Sequence, residues 1–278
     1  MSILEAIILG VVEGVTEFLP ISSTGHLTVV EKALGFEVDA ADVTAFTAII
    51  QIGAIAAVII YFREDLLRVV GAFLAGIREP ARRADREFHY AVALAAGSLP
   101  IAFAGLALHD VIEGPLRSLW VVGLALIVWS AVMWAVDRSA TQVRHEEDVT
   151  LRDTLLIGLT QCLALVPGVS RSGATMSAGL VLGLDRVAVT RLSFFLSIPA
   201  LTAAGLYEGT KEFDEISNGI GWGPTLLGTA VSFVVAYAAV AWLLRYIARH
   251  TFSLFIVYRV VAGAIVVALV AGGALAAT

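Results

Sequence analysis

Charge is scarce in this sequence. Only 15% of its 278 residues are charged, against about 25% in an average soluble domain. With 59% apolar residues and a mean hydropathy of +0.89, the chain cannot coat its own surface with charge. That excludes an ordinary water-soluble globule, and so apolar a chain is equally far from disorder. Lysine is nearly missing: the 18 basic residues are 16 Arg and 2 Lys, and the net charge is −6. No basic face for nucleic acid exists. A single cysteine, Cys162, excludes an intrachain disulfide framework. A positively charged leader is lacking too. The opening residues MSILEAIILG carry Glu5 and run into more membrane-type sequence, so the N-terminus is expected to belong to the mature fold. What remains is an integral membrane protein.

A helix crossing about 30 Å of hydrocarbon needs roughly 20 apolar residues. Six stretches qualify, near 42–62, 88–109, 117–137, 188–208, 223–247 and 254–277. Four others, near 3–19, 22–34, 152–166 and 171–184, are too short to cross alone. Each short pair is split by a polar break containing proline. The first holds Pro20, Ser22, Ser23, Thr24 and Gly25; the second holds Pro167, Gly168, Ser170, Arg171, Ser172 and Gly173. A pair joined in this way can enter the bilayer, turn, and leave by the same face.

The two breaks are related. Gly10–Gly25 aligns with Gly158–Gly173 at an offset of 148 residues, which sets Glu13 on Gln161, Ser22 on Ser170 and Ser23 on Arg171. The fold expected is therefore all-α: two five-segment halves, 1–137 and 151–278, joined by a charged linker, 138–150. Each half holds a re-entrant helical hairpin and three transmembrane helices. Arginine placement orients them. Loops 63–87, 138–152 and 245–253 are Arg-rich and are expected on the cytoplasmic side. Arg186 and Arg191 fit that side, whereas Lys32, Arg117 and Lys211 lie opposite with the acidic stretch Glu208, Glu212, Asp214 and Glu215. Both termini are then external. Three crossings per half give the halves opposite orientation, an inverted repeat whose site is expected between the broken elements.

Ionisable residues inside spans are costly and mark function. They are expected to cluster at the two breaks. Glu13 and Glu17, spaced i,i+4, share a helical face and repel, so one holds a proton or a cation lies between them. Ser22, Ser23, Thr24, Gly25 and His26 open a helix whose N–H groups favour an anion. Three hydroxyls followed by a histidine are more than a cap requires. His26 beside Ser23 suits a base or proton donor. Ser170, Arg171, Ser172 and Thr175 supply the second break, and the Arg171 fork matches phosphate. If the tips meet, the combined inventory suits phosphoryl chemistry on a lipid carrying phosphate.

The motifs EGVTEFLPISSTGH (Glu13–His26) and PGVSRSGAT (Pro167–Thr175), with FTAIIQIGAIAAVIIYF (Phe46–Phe62), resemble the undecaprenyl-diphosphate phosphatase family, the bacitracin-resistance phosphatases. The likeness runs over the whole chain. It implies hydrolysis of undecaprenyl diphosphate, or a related polyprenyl diphosphate, to the monophosphate, which recycles the lipid carrier for cell-envelope synthesis. It also implies a divalent cation, Mg²⁺ or Ca²⁺, held by Glu13 and Glu17. By motif position Ser23 is the expected nucleophile and His26 its acid/base partner, with attack by a water that His26 activates as the alternative; Glu17 is an acidic catalytic residue and Arg171 the phosphate clamp. Substrate contacts fall to Ser22, Thr24, Gly25, Ser170, Ser172, Gly173, Thr175 and, in the next helix, Gln51. The expected location is the plasma membrane, with lipid as the partner and a homodimer left open.

Two rivals were weighed. A polyprenyl-phosphate flippase would use the same anion site without a reactive Ser23–His26 pair. The acid-phosphatase-like lipid phosphatases need a histidine six residues after the Arg, where this chain has Ser177. Blander features are an interfacial helix over 64–78, a Gly10/Gly14 packing face, a solvated run at His145–Asp148, and a weak polar cluster at His109, Asp110 and Glu113.

Overall fold

The computed structural model describes residues 1–108, 116, 118–211 and 213–277, without the side chains of 206–213. The cluster at His109, Asp110 and Glu113 lies outside the described residues, as do Arg117, Glu212 and the side chains of Glu208 and Lys211. Among the described residues every regular element is helical, and six helices are long and apolar enough to cross a membrane. They are α3 (Ala41–Tyr61), α5 (Arg86–Ala107), α6 (Leu119–Ser139), α9 (Arg186–Lys211), α11 (Trp222–Ile247) and α12 (Ser253–Ala271). These are the six expected spans. The last stops short of 277, ending at Gly272 and at Gly273 with φ 72°.

The short segments are also where the pattern placed them. They are α1 (Ile3–Thr16) with α2 (Ser23–Ala33), and α7 (Leu151–Gln161) with α8 (Arg171–Val181). Both first members begin with a capping box. Ser2 and Glu5 close α1, and Thr150 and Asp153 close α7, each side chain meeting the other residue's backbone N–H. Both then stop before a proline, which cannot donate to the preceding turn. At 14 and 11 residues, α1 and α7 are about 21 and 17 Å long.

Glycine sets the closest helix contacts. α1 packs along α11, and α7 along α5. A Cβ at Gly10 would lie 2.5 Å from the Gly228 carbonyl oxygen, and one at Gly158 only 2.0 Å from that of Gly97. Backbones this close leave no room for a side chain. α6 and α12 meet in the same way at Gly123 and Gly263. α3 lies against α9, α11 and the short α10 (Phe213–Asn218), and completes the interior around Phe18, Phe194 and Phe62.

The outer faces of α5, α6, α11 and α12 expose large apolar side chains such as Phe103, Trp134, Val234 and Val261, a surface suited to lipid. α4 (Arg63–Arg78) exposes Leu67, Val70, Leu74 and Ile77 and packs on α5.

The three Arg-rich loops gather at one end. Arg191 donates to Asp65 of α4 at 3.0 Å and to Glu146 of the linker at 2.5 Å. Asp137 takes Arg186 at 2.7 Å and the Phe252 N–H at 3.1 Å. The linker differs from the solvated run expected there. Arg144 exchanges backbone bonds with Gly183 and Asp185, and its guanidinium grips both Asp153 oxygens. Glu146 also accepts from Tyr90, and His145 bonds Asp185. Three ionic partners, Asp153, Asp185 and Arg191, together with the Tyr90 hydroxyl, explain the docking. The composition of the linker shows its charges but not the partners waiting for them.

Candidate functional site

The two breaks touch. Pro20 ends the first turn, and Ser22 follows at φ 77°; in the second break Gly168 stands at φ 98° and Ser170 at φ 76°. Left-handed backbone is unfavourable for a side-chain-bearing residue. At each break it swings the chain back so that a new helix begins at once. Ser22 Oγ then accepts the Gly25 N–H at 3.4 Å and Ser170 Oγ the Gly173 N–H at 3.1 Å, both as N-caps.

Four bonds join tip to tip, one of them from Arg171 Nη2 to the Glu17 carbonyl at 3.4 Å. Gly168 N–H donates to Ser22 Oγ at 3.1 Å, Ser172 Oγ donates to the Leu19 carbonyl at 2.9 Å, and Arg171 Nη2 reaches Glu17 Oε1 at 3.3 Å. Glu17 is the hub. Its other oxygen, Oε2, accepts a short hydrogen bond from Ser23 Oγ. The carboxylate, the hydroxyl and the guanidinium therefore form one chain across both breaks, with Glu17 buried and the other two partly buried. Arg171 holds on by long contacts, a further one being Nη1 to the Ser193 carbonyl at 3.4 Å. It also lies over the Phe18 ring, 5.6 Å from its centroid.

A cavity of about 220 Å³ opens beside Ser23. Glu13, Thr24, Glu31, Thr47 and Gln51 line it. Glu13 is 1% exposed, and neither of its carboxylate oxygens has a hydrogen-bond partner among the described residues. A buried carboxylate cannot stay unpaired as an anion, so the donor set fits a hard cation or a proton at this position.

Of the expected site residues, Glu13, Glu17, Ser22, Ser23, Thr24, Gln51, Ser170 and Arg171 converge here. Ser172 and Thr175 act within the scaffold; Thr175 Oγ1 donates to Ser193 Oγ at 2.7 Å. Gly25 and Gly173 supply capped N–H groups at the helix starts, and a Cβ on Gly25 would meet Val122 at 3.0 Å. His26 lies on another face of α2. Nδ1 donates to the Ser22 carbonyl at 2.7 Å when that nitrogen carries the proton, and Nε2 then accepts from the Tyr258 hydroxyl at 2.7 Å. The ring stacks on Tyr258 and makes no hydrogen bond to Ser23.

Two buried charges were missed. Glu31, 3% exposed, accepts from Thr47 at 2.8 Å within the cavity. Its signal was its position on α2, two turns beyond Ser23. Arg259 is fully buried in α12 and donates to the Pro20 carbonyl at 3.2 Å, the Gly168 carbonyl at 2.9 Å and Ser130 Oγ at 3.1 Å. An arginine in the middle of the last apolar span was legible as an anomaly. The expectation that such residues cluster only at the breaks overlooked it.

The family model described as bacitracin resistance protein BacA matches residues 6–265. A relative from Frankia casuarinae, named undecaprenyl-diphosphatase 3, is 58% identical over 278 residues, the full length of both chains. Undecaprenyl-diphosphatase 1 of Streptomyces coelicolor is 52% identical over 276 residues, covering 99% of this chain and 98% of the relative. The undecaprenyl-diphosphatase of Cutibacterium acnes is 50% identical over 277 residues, covering 97% and 98%.

Proposed function

The chain belongs to the bacitracin resistance protein BacA family, and on that footing we propose that its reaction is carried by Ser23, Glu17 and Arg171 where the two breaks meet. It is a multi-pass membrane hydrolase that converts undecaprenyl diphosphate to the monophosphate and phosphate. No observation favours the flippase alternative.

The observation that carries the site is the Glu17 carboxylate, which accepts from Ser23 on one oxygen and from Arg171 on the other. Ser23 Oγ attacks the terminal phosphorus and passes its proton to Glu17 Oε2. The bond from that phosphorus to the bridging oxygen breaks, and the polyprenyl phosphate leaves. Glu17 gives that proton to the departing polyprenyl phosphate; water then attacks the phosphorus and passes a proton to Glu17, which returns it to Ser23 Oγ as the bond from serine to phosphorus breaks. Arg171 turns from its long contacts to the phosphate oxygens, whose geometry suits its fork. The N–H groups that open α2 and α8 add fixed positive dipole. His26 is a positioning residue that holds the Ser22 carbonyl. A divalent cation, when bound by Glu13, would neutralise charge on the diphosphate.

The same reading makes the halves an inverted repeat with α1–α2 and α7–α8 re-entrant. In support, α1 and α7 are too short to cross and the Arg-rich loops share one end. That end is then cytoplasmic and both termini external.

Purified protein in detergent, given polyprenyl diphosphate and scored for released phosphate, tests the assignment. Arg171→Ala and Glu17→Ala should each lower turnover by about 10²–10³ or more. Unchanged turnover in either folded variant removes the site.

A further inference from the structure

The loop between α11 and α12 is basic and has no carboxylate of its own. Elsewhere at the Arg-rich end cations meet carboxylates: Arg144 pairs with Asp153, Arg186 with Asp137, and Arg191 with Asp65 and Glu146. The segment 78–87 interleaves Arg78, Arg82, Arg83 and Arg86 with Glu79, Asp85 and Glu87. After Glu215, by contrast, the chain has no Asp or Glu, so Arg245, Arg249 and His250 carry no counter-charge in their own stretch. All three are exposed. Arg245 donates through Nε to the Ala241 carbonyl at 2.9 Å, and His250 Nδ1 donates to the Tyr246 carbonyl at 2.9 Å when it carries the proton. Arg249 is held only by its backbone N–H, and its guanidinium has no partner among the described residues.

These groups border an open hollow of about 460 Å³, lined by Arg186, Tyr246, Arg249, His250 and Thr251. Arg186 fixes one wall, because Asp137 and Gln142 hold its guanidinium at 2.7 and 3.0 Å. The Asp137 carboxylate is taken by Arg186 and by the Phe252 N–H, so the charge of Arg249 stays uncompensated. The hollow lies at the membrane boundary. α12 has 19 residues and is about 28 Å long, which puts its first residue, Ser253, at one edge of the hydrocarbon. Trp242 stacks on Tyr246 in the last turns of α11, the depth at which aromatic rings collect. Away from the loop the two helices take different partners, α11 packing on α1 and α3 and α12 on α6. Trp242, Leu254, Val257 and Val261 are exposed there.

From this arrangement we infer that the α11–α12 loop binds the phosphate of an anionic phospholipid in the adjoining leaflet, whose acyl chains lie against α11 and α12. An excess of arginine is expected of any loop at this end. What sets this loop apart is a guanidinium without a partner at the edge of a hollow, next to an exposed apolar face. That combination fits a ligand with an anionic head and an apolar body. The Arg249 fork matches the phosphate oxygens, and Thr251 adds a hydroxyl to the same hollow. None of these residues lines the cavity beside Ser23, so the site is independent of the reacting groups.

Native mass spectrometry of the purified full chain in detergent, titrated with phosphatidylglycerol or with phosphatidylcholine of the same acyl chains, tests the proposal. Wild type should bind one phosphatidylglycerol at least about tenfold more tightly than phosphatidylcholine, because each arginine near an anionic headgroup contributes about fivefold. Arg249→Gln should lower that preference about fivefold, and adding Arg245→Gln should remove most of the rest. Arg249 makes no side-chain bond, so the variant should fold, which circular dichroism checks. Arg78→Gln removes another exposed arginine, from α4, and should bind as wild type does. Equal affinity for the two lipids in wild type overturns the proposal, and so does a wild-type preference in Arg249→Gln. An equal loss in Arg78→Gln overturns it by showing diffuse surface charge in place of a site. Displacement of the lipid by millimolar orthophosphate at constant ionic strength assigns the hollow to a free anion and overturns it as well.

Discussion

Ser22 and Ser170, 148 positions apart, hold the same left-handed backbone, and each hydroxyl accepts the N–H three residues on. The conformation costs about 1–2 kcal/mol for a residue with a side chain. Ser22 offsets it with a second bond, from Gly168 N–H of the other break. Ser22→Ala keeps the backbone strain and leaves two buried N–H groups without an acceptor, at about 1–3 kcal/mol each. Ser22→Gly loses the same hydroxyl but removes the strain. The alanine variant should therefore unfold at a lower temperature than the glycine variant in detergent. Equal or reversed melting temperatures would show that the left-handed turn stores no strain.

Glycine at the helix crossings makes a sharper contrast. Gly158→Ala puts a methyl group 2.0 Å from the Gly97 carbonyl oxygen, where only backbone movement can make room. Overpacking of this kind costs about 1–3 kcal/mol, and here it parts α5 from α7. Gly71→Ala, in α4, meets nothing within 4 Å. It should be neutral, or stabilising by roughly 0.5–1 kcal/mol through helix propensity. Melting curves of the two proteins decide it; similar behaviour would show that the crossing has slack.

Much of this architecture was legible in the sequence. The six spans follow from apolar length, the short pairs from proline and serine, and the meeting of the breaks from their internal similarity. Arg171 reads as a clamp for phosphate, and the carboxylate that it meets in the folded chain, Glu17, belongs to the other break. What escaped were pairings between distant segments. The linker shows its charges, but only the folded chain sets Arg191 between Asp65 and Glu146. Ser23 and His26 are three apart on one helix and read as partners. A three-residue step rotates about 60° around the axis, and Tyr258 of α12 waits on that side for the imidazole. Glu31 has no motif to mark it, and only the fold sets Thr47 and Glu13 around the same cavity.

The docked linker gives a pH dependence. The Asp185 carboxylate hydrogen-bonds His145 and pushes its pKa up. A folded pKa above the unfolded one, about 6.5, means that the stabilisation is fully present below the unfolded value and is lost as pH rises through the folded value. The pair is exposed, so the effect is local. Trypsin cleavage after Arg144 should quicken as pH rises from 6 to 8 relative to a control site at Arg63. Asp185→Asn should flatten that ratio while its side-chain oxygen still caps α9 through Ala188 N–H, as Asp185 does at 2.8 Å. A ratio that does not change with pH in wild type would remove His145 from the lock.

Arg259 ties the two breaks together from behind. Its guanidinium donates to the carbonyls of Pro20 and Gly168, one from each break, and no carboxylate pairs with it among the described residues. A buried charge satisfied only by neutral acceptors is costly. Its retention makes sense if the charge and the fixed fork set the distance between Ser23 and Arg171. Arg259→Met removes both and leaves two buried carbonyls bare, at about 1–3 kcal/mol each, so its melting temperature should fall. Arg259→Lys keeps the charge but cannot span the same acceptors. It should stay folded while kcat drops roughly tenfold to a hundredfold with little change in KM, the signature of misplaced reacting groups rather than lost substrate contact. A lysine variant with wild-type kcat would show that the charge suffices. A methionine variant with wild-type stability and kcat would show that the breaks hold their spacing without any clamp.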